Sequence, residues 1–351
     1  MRDVGRIGAA ALRRFCEAVL TQVDVPDAAA GLVADCLVSA NLRGVDTHGV
    51  VRLPTYVRRI GQGAIDPRGE PFVAVRHGAV AIVDAANALG PIGAAKGMEL
   101  AIACARESGI GYVGVRNSNH FSYAAYYCEL AANAGMIGLC SSGGEPTVAP
   151  WGGIDAFYTN SPVALAAPTS TTPLVVDLAT SVTSRGNITL ARLLGQTIPE
   201  GWAVDATGRP TTDPAAALCG SVLPMGGAKG YALIVALEVL NGVLTGGAFA
   251  PEVGSQAAKD ARAAGVPHFF LALDPAALIG RRPFLERMDR LVRATHVARA
   301  SDPAAPVRLP GERRCQVAAE RGRDGIPVPH EVRTELLSLA ERYAPTAKEL
   351  L

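Results

Sequence analysis

Apolar residues recur at helical spacing between residues 7 and 42, with Leu12, Phe15, Val19 and Leu20 on one stripe. A break at Asp24–Pro26 divides the stretch into two predicted amphipathic helices. Asp27 stands near the start of the second, and Gly44 is a natural stop. Pro54 suits the first turn of a third helix, Pro54 to Gly61. From Val73 the period changes to alternation about His77-Gly78, which predicts a hairpin. Next come a helix over 91–107, a strand over 111–118, a helix over 122–134 and a strand over 136–141.

Residues 143–162 are rich in Gly and Pro without regular period, so they read as a long loop of the kind that carries function. LVVDLAT (174–180) predicts a strand, the segment after Ser184 a helix and 231–246 a buried helix. HFFLALD (268–274) predicts another strand, and Pro327 to Tyr343 a closing helix. Helices and strands alternate without strict βαβ order, which predicts a mixed α/β fold. There is no internal repeat.

A literal G-x-G-x-x-G occurs at Gly109, Gly111 and Gly114. In a Rossmann unit those glycines follow a strand and open a helix, where the pyrophosphate meets free N–H groups. Here a helix ends near Ser108 and the glycines lead into a strand, so they read as a helix stop and a thin strand. Gly226-Gly227-Ala228-Lys229-Gly230, directly before the helix at 231–246, is better suited to a phosphate. It is not a Walker sequence, and an ordinary glycine turn with a solvated lysine fits it equally well.

The chain has 351 residues, 49% of them apolar, enough for a sizeable core and two or three compact units. Lys plus Arg is 33 and Asp plus Glu is 32, a balance with no footprint for nucleic acid or an anionic membrane. Charges interrupt the apolar stretch near the N-terminus, and the longest apolar helix candidate is short for a bilayer. A soluble, cytoplasmic protein is expected. The seven cysteines show no paired spacing and read as buried small hydrophobes in a reducing compartment. No metal-ligand spacing and no G-x-S-x-G motif occurs.

NLRGVDTHGVVRLPTYVRR (41–59) gathers Arg43, Asp46, Thr47, His48, Arg52, Arg58 and Arg59. Transfer of hydride between an alcohol and a ketone needs a group that moves the oxygen's proton near neutral pH, and histidine suits this. A small acid needs a planar cation to grip its carboxylate, as arginine does. His48 and Arg52 are four residues apart and could share one helical face, although Pro54 argues against a continuous helix. Taken alone, His48 reads more readily as a surface or core histidine. RNSNHF (116–121), where a strand runs out, is a binding loop or simply a polar loop with a capping residue.

The stretches RGVDTHGVVRLPTY (43–56), VRNSNHF (115–121), GMIGLCSSGGEPTVAPWGG (135–153) and TNSPVALAAP (159–168) follow in order. So do VVDLATSVTSRGNI (175–188), IPEGWAVDATGRPTTDP (198–214), LPMGGAKGY (223–231) and LPGER (309–313). Together they closely resemble the malate/L-lactate dehydrogenase family of type 2, whose members also include ureidoglycolate, sulfolactate and diketogulonate oxidoreductases and cyclic-imine reductases. The resemblance spans about residues 7–345.

It implies a non-Rossmann NAD(P)-binding fold, a homodimer that takes NAD or NADP, and a small carboxylate substrate; between the cofactors NAD is slightly preferred. It implies an N-terminal helical region (1–72) packed with a C-terminal helix (325–351), and a cofactor and substrate domain (73–324), divisible into two lobes. By resemblance His48 moves the proton with Thr47 beside it, and Arg52 holds the substrate carboxylate. His120 lies close to the substrate, and His120, Phe121, Ser122, Tyr123 and Ala124 line the cofactor. Asp177, Leu178, Ala179, Thr180, Lys229, Gly230, Gly311 and Glu312 contact the dinucleotide.

Two residues depart from the pattern. Thr47 replaces a serine and keeps the hydroxyl. Asn187 falls near an aspartate of the imine reductases, and an amide cannot carry the charge that stabilises an iminium. The expected activity is therefore oxidoreduction of a 2-hydroxy or 2-oxo acid. Imine reduction on the same scaffold and non-catalytic small-molecule binding are the alternatives.

Overall fold

The structure, a computed structural model, describes residues 5–260 and 262–351. In chain order its strands are β1 (Arg6–Ile7), β2 (Phe72–His77), β3 (Val80–Asp84), β4 (Ile110–Ser118), β5 (Ile137–Ser142), β6 (Val163–Ala167) and β7 (Leu174–Leu178). The remaining strands are β8 (Ala203–Val204), β9 (Pro210–Thr211), β10 (Ser221–Val222), β11 (Val266–Leu273) and β12 (Ile326–Pro327). The helices are α1 (Ala9–Thr21), α2 (Asp27–Leu42), α3 (Leu53–Gly61), α4 (Gly90–Ser108), α5 (Ala125–Asn133) and α6 (Arg185–Leu193). They continue with α7 (Pro214–Cys219), α8 (Ala228–Glu238), α9 (Arg281–His296), α10 (Glu312–Asp324) and α11 (His330–Tyr343).

The central sheet has seven strands in the order β2-β3-β4-β11-β5-β6-β7. Only β3 and β4 run parallel, joined through α4, and every other neighbouring pair is antiparallel. A doubly wound dinucleotide fold has a mostly parallel sheet, so this is a mixed α/β fold of another kind. Gly109 ends α4 in the left-handed region at φ 80°. A Cβ on Gly111 would lie 2.1 Å from the Ala101 carbonyl of α4, and one on Gly114 2.6 Å from Thr245. The glycines of the pseudo-motif thus let β4 be packed closely by neighbouring elements.

A second core joins α1, α2, α3 and α11 through Leu12, Phe15, Leu37, Leu53, Leu336 and Ala340, all fully buried. The small sheet β10-β8-β9 has its own cluster, which includes the fully buried Ile188 of α6. Among the described residues no helix is long and apolar enough to cross a membrane.

Several elements differ from expectation. The predicted helix at 122–134 starts only at Ala125, because Ser122 adopts φ 69° and breaks the turn. VALAA (163–167) forms β6, a strand whose small residues gave no alternation to read. The segment expected as a buried helix begins at Ala228 and widens into a π-turn at Val239–Val243. It exposes Leu233, Val239, Val243 and Leu244. The closing helix starts at His330, since Ile326–Pro327 pairs with Arg6–Ile7. The strongly charged α9 and α10 bury no residue fully and carried too little apolar period to be predicted. Cys16, Cys36, Cys104, Cys128 and Cys140 are buried, whereas Cys219 is exposed and Cys315 partly so.

Candidate active site

The loop after α2 bends twice before α3 begins. Short 3-10 turns at Asp46–His48 and Val50–Arg52 flank Gly49, so His48 and Arg52 do not lie on one continuous helix. Asn41, buried at the end of α2, folds its side chain into this loop. Its Oδ1 accepts the Val50 N–H at 2.8 Å, and its Nδ2 donates to Asp46 at 2.6 Å. Arg321 of α10 grips both Asp46 carboxylate oxygens, at 2.7 and 3.0 Å. A bidentate pair of this kind fixes orientation as well as distance.

The loop turns His48 into a cleft of about 1000 Å³ that also receives Thr47, Arg52, His120, Asp177, Asn187 and Arg314. Thr47 Oγ1 lies 2.9 Å from His48 Nδ1. The Nε2 atom makes no hydrogen bond to a described residue and is not enclosed by protein, so it is the free edge of the ring. Arg52 anchors its Nε on the Thr47 carbonyl at 2.7 Å. Its two terminal nitrogens have no hydrogen-bond or ion-pair partner among the described residues.

His120 stacks on His48 with ring centroids 5.5 Å apart and planes 24° from parallel. Burial, with the charges of Arg52 and Arg314 nearby, pushes the His48 pKa down to about 3. Burial also holds His120 well below the usual histidine range, helped by Arg52, His48 and His268. From the sequence a group near neutrality is expected, and the cleft moves His48 well below that range. Burial first, and then the guanidinium charge of Arg52, joined at His48 by that of Arg314, favours the neutral form of both rings.

In the same cleft Asp177 is paired with Arg314 at 2.9 Å and accepts a longer bond from the Ala125 N–H. Burial raises its pKa, and Arg314 opposes that shift. Leu178, Ala179, Phe121, Ser122, Tyr123 and Ala124 line the same cleft. Asn187 does not reach the histidines through a hydrogen bond; its amide donates to Thr183 Oγ1 at 3.2 Å. The start of α6 is nevertheless close, since a Cβ on Gly186 would lie 3.7 Å from the Thr47 methyl.

Five expected cofactor residues do not line this cleft. Thr180 is buried and donates its hydroxyl to the Asn160 carbonyl at 2.7 Å. Lys229 and Gly230 lie inside the first turn of α8, where a Cβ on Gly230 would be 1.8 Å from the Met225 carbonyl. Gly311 caps α10 against the Val175 carbonyl, which a Cβ would meet at 2.6 Å. The Glu312 carboxylate is occupied by His296 at 2.6 Å and by the Leu309 N–H.

Tyr56, Arg314 and Arg321 join the site without having been expected from the sequence. Tyr56 closes the motif that holds His48, so proximity in sequence could have flagged it. Nothing local marked the two arginines of α10.

The sequence profile of the malate/L-lactate dehydrogenase family matches residues 7–337. The malate dehydrogenase of Pyrococcus horikoshii is 36% identical over 336 residues, 93% of this chain and 92% of that protein. The structure of sulfolactate dehydrogenase from Methanocaldococcus jannaschii superposes with a TM-score of 0.91 at 32% identity, covering 97% of both chains. That of delta1-piperideine-2-carboxylate reductase from Pseudomonas syringae pvar. tomato superposes with a TM-score of 0.87 at 29% identity, covering 96% of this chain and all of that one. Common ancestry over nearly the whole length joins this sequence to a group of oxidoreductases, and the chain belongs to the malate/L-lactate dehydrogenase family.

Proposed function

We propose that the protein interconverts a small 2-hydroxy acid and its 2-oxo acid with a nicotinamide dinucleotide, as a homodimer. The observation that carries this reading is the joint placement in one cleft of a half-buried His48 favoured in its neutral form and the guanidinium tips of Arg52, unpartnered among the described residues. Malate and sulfolactate, named for two of the similar proteins, are both 2-hydroxy acids.

The residues fit the cofactor. The cleft is at the upper end of the usual size for small-molecule sites. It runs past the 122–124 turn and the 177–179 segment and includes Arg313, which has no ion pair among the described residues. When bound, the nicotinamide supplies or accepts the hydride at the substrate carbon. Arg52 offers two parallel N–H groups to the substrate carboxylate and so orients that carbon. His48 takes the hydroxyl proton on its free Nε2 during oxidation and returns it during reduction. Thr47, held at Nδ1, keeps the ring edge directed at the cleft. Imine reduction is less well supported, because position 187 offers an amide already engaged with Thr183.

The exposed apolar side chains Leu233, Val239, Val243 and Leu244 are the surface we assign to the dimer. Light scattering that gave a monomer mass at micromolar concentration would reject that assignment. The reaction is tested with a panel of 2-hydroxy acids, NAD+ and NADP+, followed at the absorbance of the reduced nicotinamide. Turnover of at least one acid is expected. Turnover of none, with cyclic imines reduced instead, would replace the reading.

A further inference from the structure

We infer that His120 is locked as a neutral Nε2–H hydrogen-bond donor aimed at the substrate oxygen, and that Tyr56 is the positioning residue that locks it. The inference rests on the reading above in assigning the proton transfer to His48.

The Ser122 backbone N–H points at His120 Nδ1, with 3.4 Å between the nitrogens. A backbone amide nitrogen has a proton to give and no lone pair to accept with, so Nδ1 must present its own lone pair. The Tyr56 hydroxyl lies 2.9 Å from the same Nδ1 and 3.2 Å from the His120 carbonyl. With Nδ1 bare, the shorter of these contacts is an O–H donated to the ring. A neutral imidazole has one ring proton, and it is therefore on Nε2. Adding a second proton at Nδ1 would turn it against both donors. Burial and the neighbouring Arg52 already oppose that protonation.

The opposite edge of the ring is free. Nε2 has no partner among the described residues and is not enclosed, while His120 lines the cleft beside His48. Ser122 ties the two histidines together: its N–H engages His120, and its hydroxyl donates to the His48 carbonyl at 2.8 Å. It does so at φ 69°, a conformation that non-glycine residues adopt only when their surroundings enforce it. Tyr56 is 2% exposed, so its hydroxyl is fixed by the packing around it.

A nitrogen that carries a proton cannot receive one. The two stacked histidines therefore divide the work. As hydride leaves the alcohol carbon for the nicotinamide, the hydroxyl proton passes to His48 Nε2. The oxygen, partly anionic in that transition state, is held by the His120 Nε2–H. A preorganised donor of this kind typically contributes about 100- to 1000-fold to kcat.

The test has two arms. The first uses protein labelled with 15N histidine and needs no substrate. The chain has six histidines, and a His120→Gln spectrum identifies the signal of interest. In the wild type, His120 should show a bare Nδ1 and a protonated Nε2. In Tyr56→Phe, which keeps the ring packing, the two shifts should move toward each other and kcat should fall about tenfold, the scale of one hydrogen bond. A protonated Nδ1 in the wild type, or a Tyr56→Phe protein with unchanged shifts and kcat, would overturn the inference.

The second arm compares His120→Gln with His120→Leu. A glutamine amide can place an N–H where Nε2–H stood, so it should retain at least tenfold more activity than leucine. Equal loss in both would make His120 something other than a donor. If the wild type turns over no hydroxy acid at all, the reading of the reaction fails, while the tautomer is still decided by the first arm.

Discussion

The carboxamide of Asn41 occupies the place that a side chain on Gly49 would need. A Cβ built there lies 2.1 Å from Asn41 Oδ1, the atom that accepts the Val50 N–H. The glycine between His48 and Val50 is therefore required by close packing, and the packing partner is the same residue that holds Asp46. Gly49→Ala must push Asn41 aside and loosen the turn that aims His48. The expected result is a loss of about 1–3 kcal/mol in stability, as in other overpacked sites, with a fall in kcat. Denaturant unfolding and steady-state kinetics check both, and a variant with unchanged stability and rate would contradict the packing.

His48→Asn should lower kcat by about 100- to 10,000-fold, the usual contribution of a positioned acid–base group. Cofactor affinity, measured by titration, should persist. Retention of most of the activity would move the proton transfer elsewhere.

The pH profile follows from the depressed His48 pKa of about 3. For oxidation the histidine must be neutral, so the acid limb of kcat/KM, which reports the free enzyme, should lie far below the ordinary histidine value of about 6.5. A bound carboxylate offsets the Arg52 charge and favours the imidazolium. The limb of kcat, which reports the complex, should therefore lie at higher pH than that of kcat/KM. Coincident limbs near neutrality in the wild type would contradict this order.

Arg52→Lys keeps a charge but loses the planar fork anchored through Nε on the Thr47 carbonyl. KM for the acid should rise by the equivalent of about 1–3 kcal/mol, the range for a charge-assisted hydrogen bond. Affinity for the dinucleotide should stay as it was. Wild-type KM in this variant would make Arg52 a structural residue.

Arg314→Leu leaves the Asp177 carboxyl buried without its counter-ion. Leaving a buried polar group unsatisfied costs about 1–3 kcal/mol, and a charged one more. The variant should unfold at lower denaturant concentration and bind the dinucleotide more weakly, because Asp177 lines the cleft. Because the partner's loss acts through a carboxylate, Asp177→Asn combined with Arg314→Leu should recover part of the stability. No recovery in the double variant would argue against a direct pair.

Much of the architecture follows from local signals. The 3.6-residue period of α1 and α2, the alternation of β2 and β3 and the glycine stop after α4 each depend on contacts within a few residues. The order of helix, glycines and strand at 105–114 was enough to set aside the dinucleotide motif. The motif at 43–56 delivered His48, Arg52 and, unnoticed, Tyr56, because one short loop carries all three. Tertiary structure alone decided which distant charges meet it. Arg321 reaches Asp46 across 275 residues and Arg314 reaches Asp177 across 137. It also put Lys229 in the first turn of α8, outside the cleft. Ser122 shows the same division: its N–H reaches His120 only two residues away, whereas its hydroxyl reaches the His48 carbonyl across 74 residues, a bond that exists only once the α2–α3 loop has packed against the end of β4. Period and turn chemistry act over a few bonds and are written in order along the chain. Ion pairs, tautomers and free ring edges depend on distances between segments, and those are set only when the chain closes on itself.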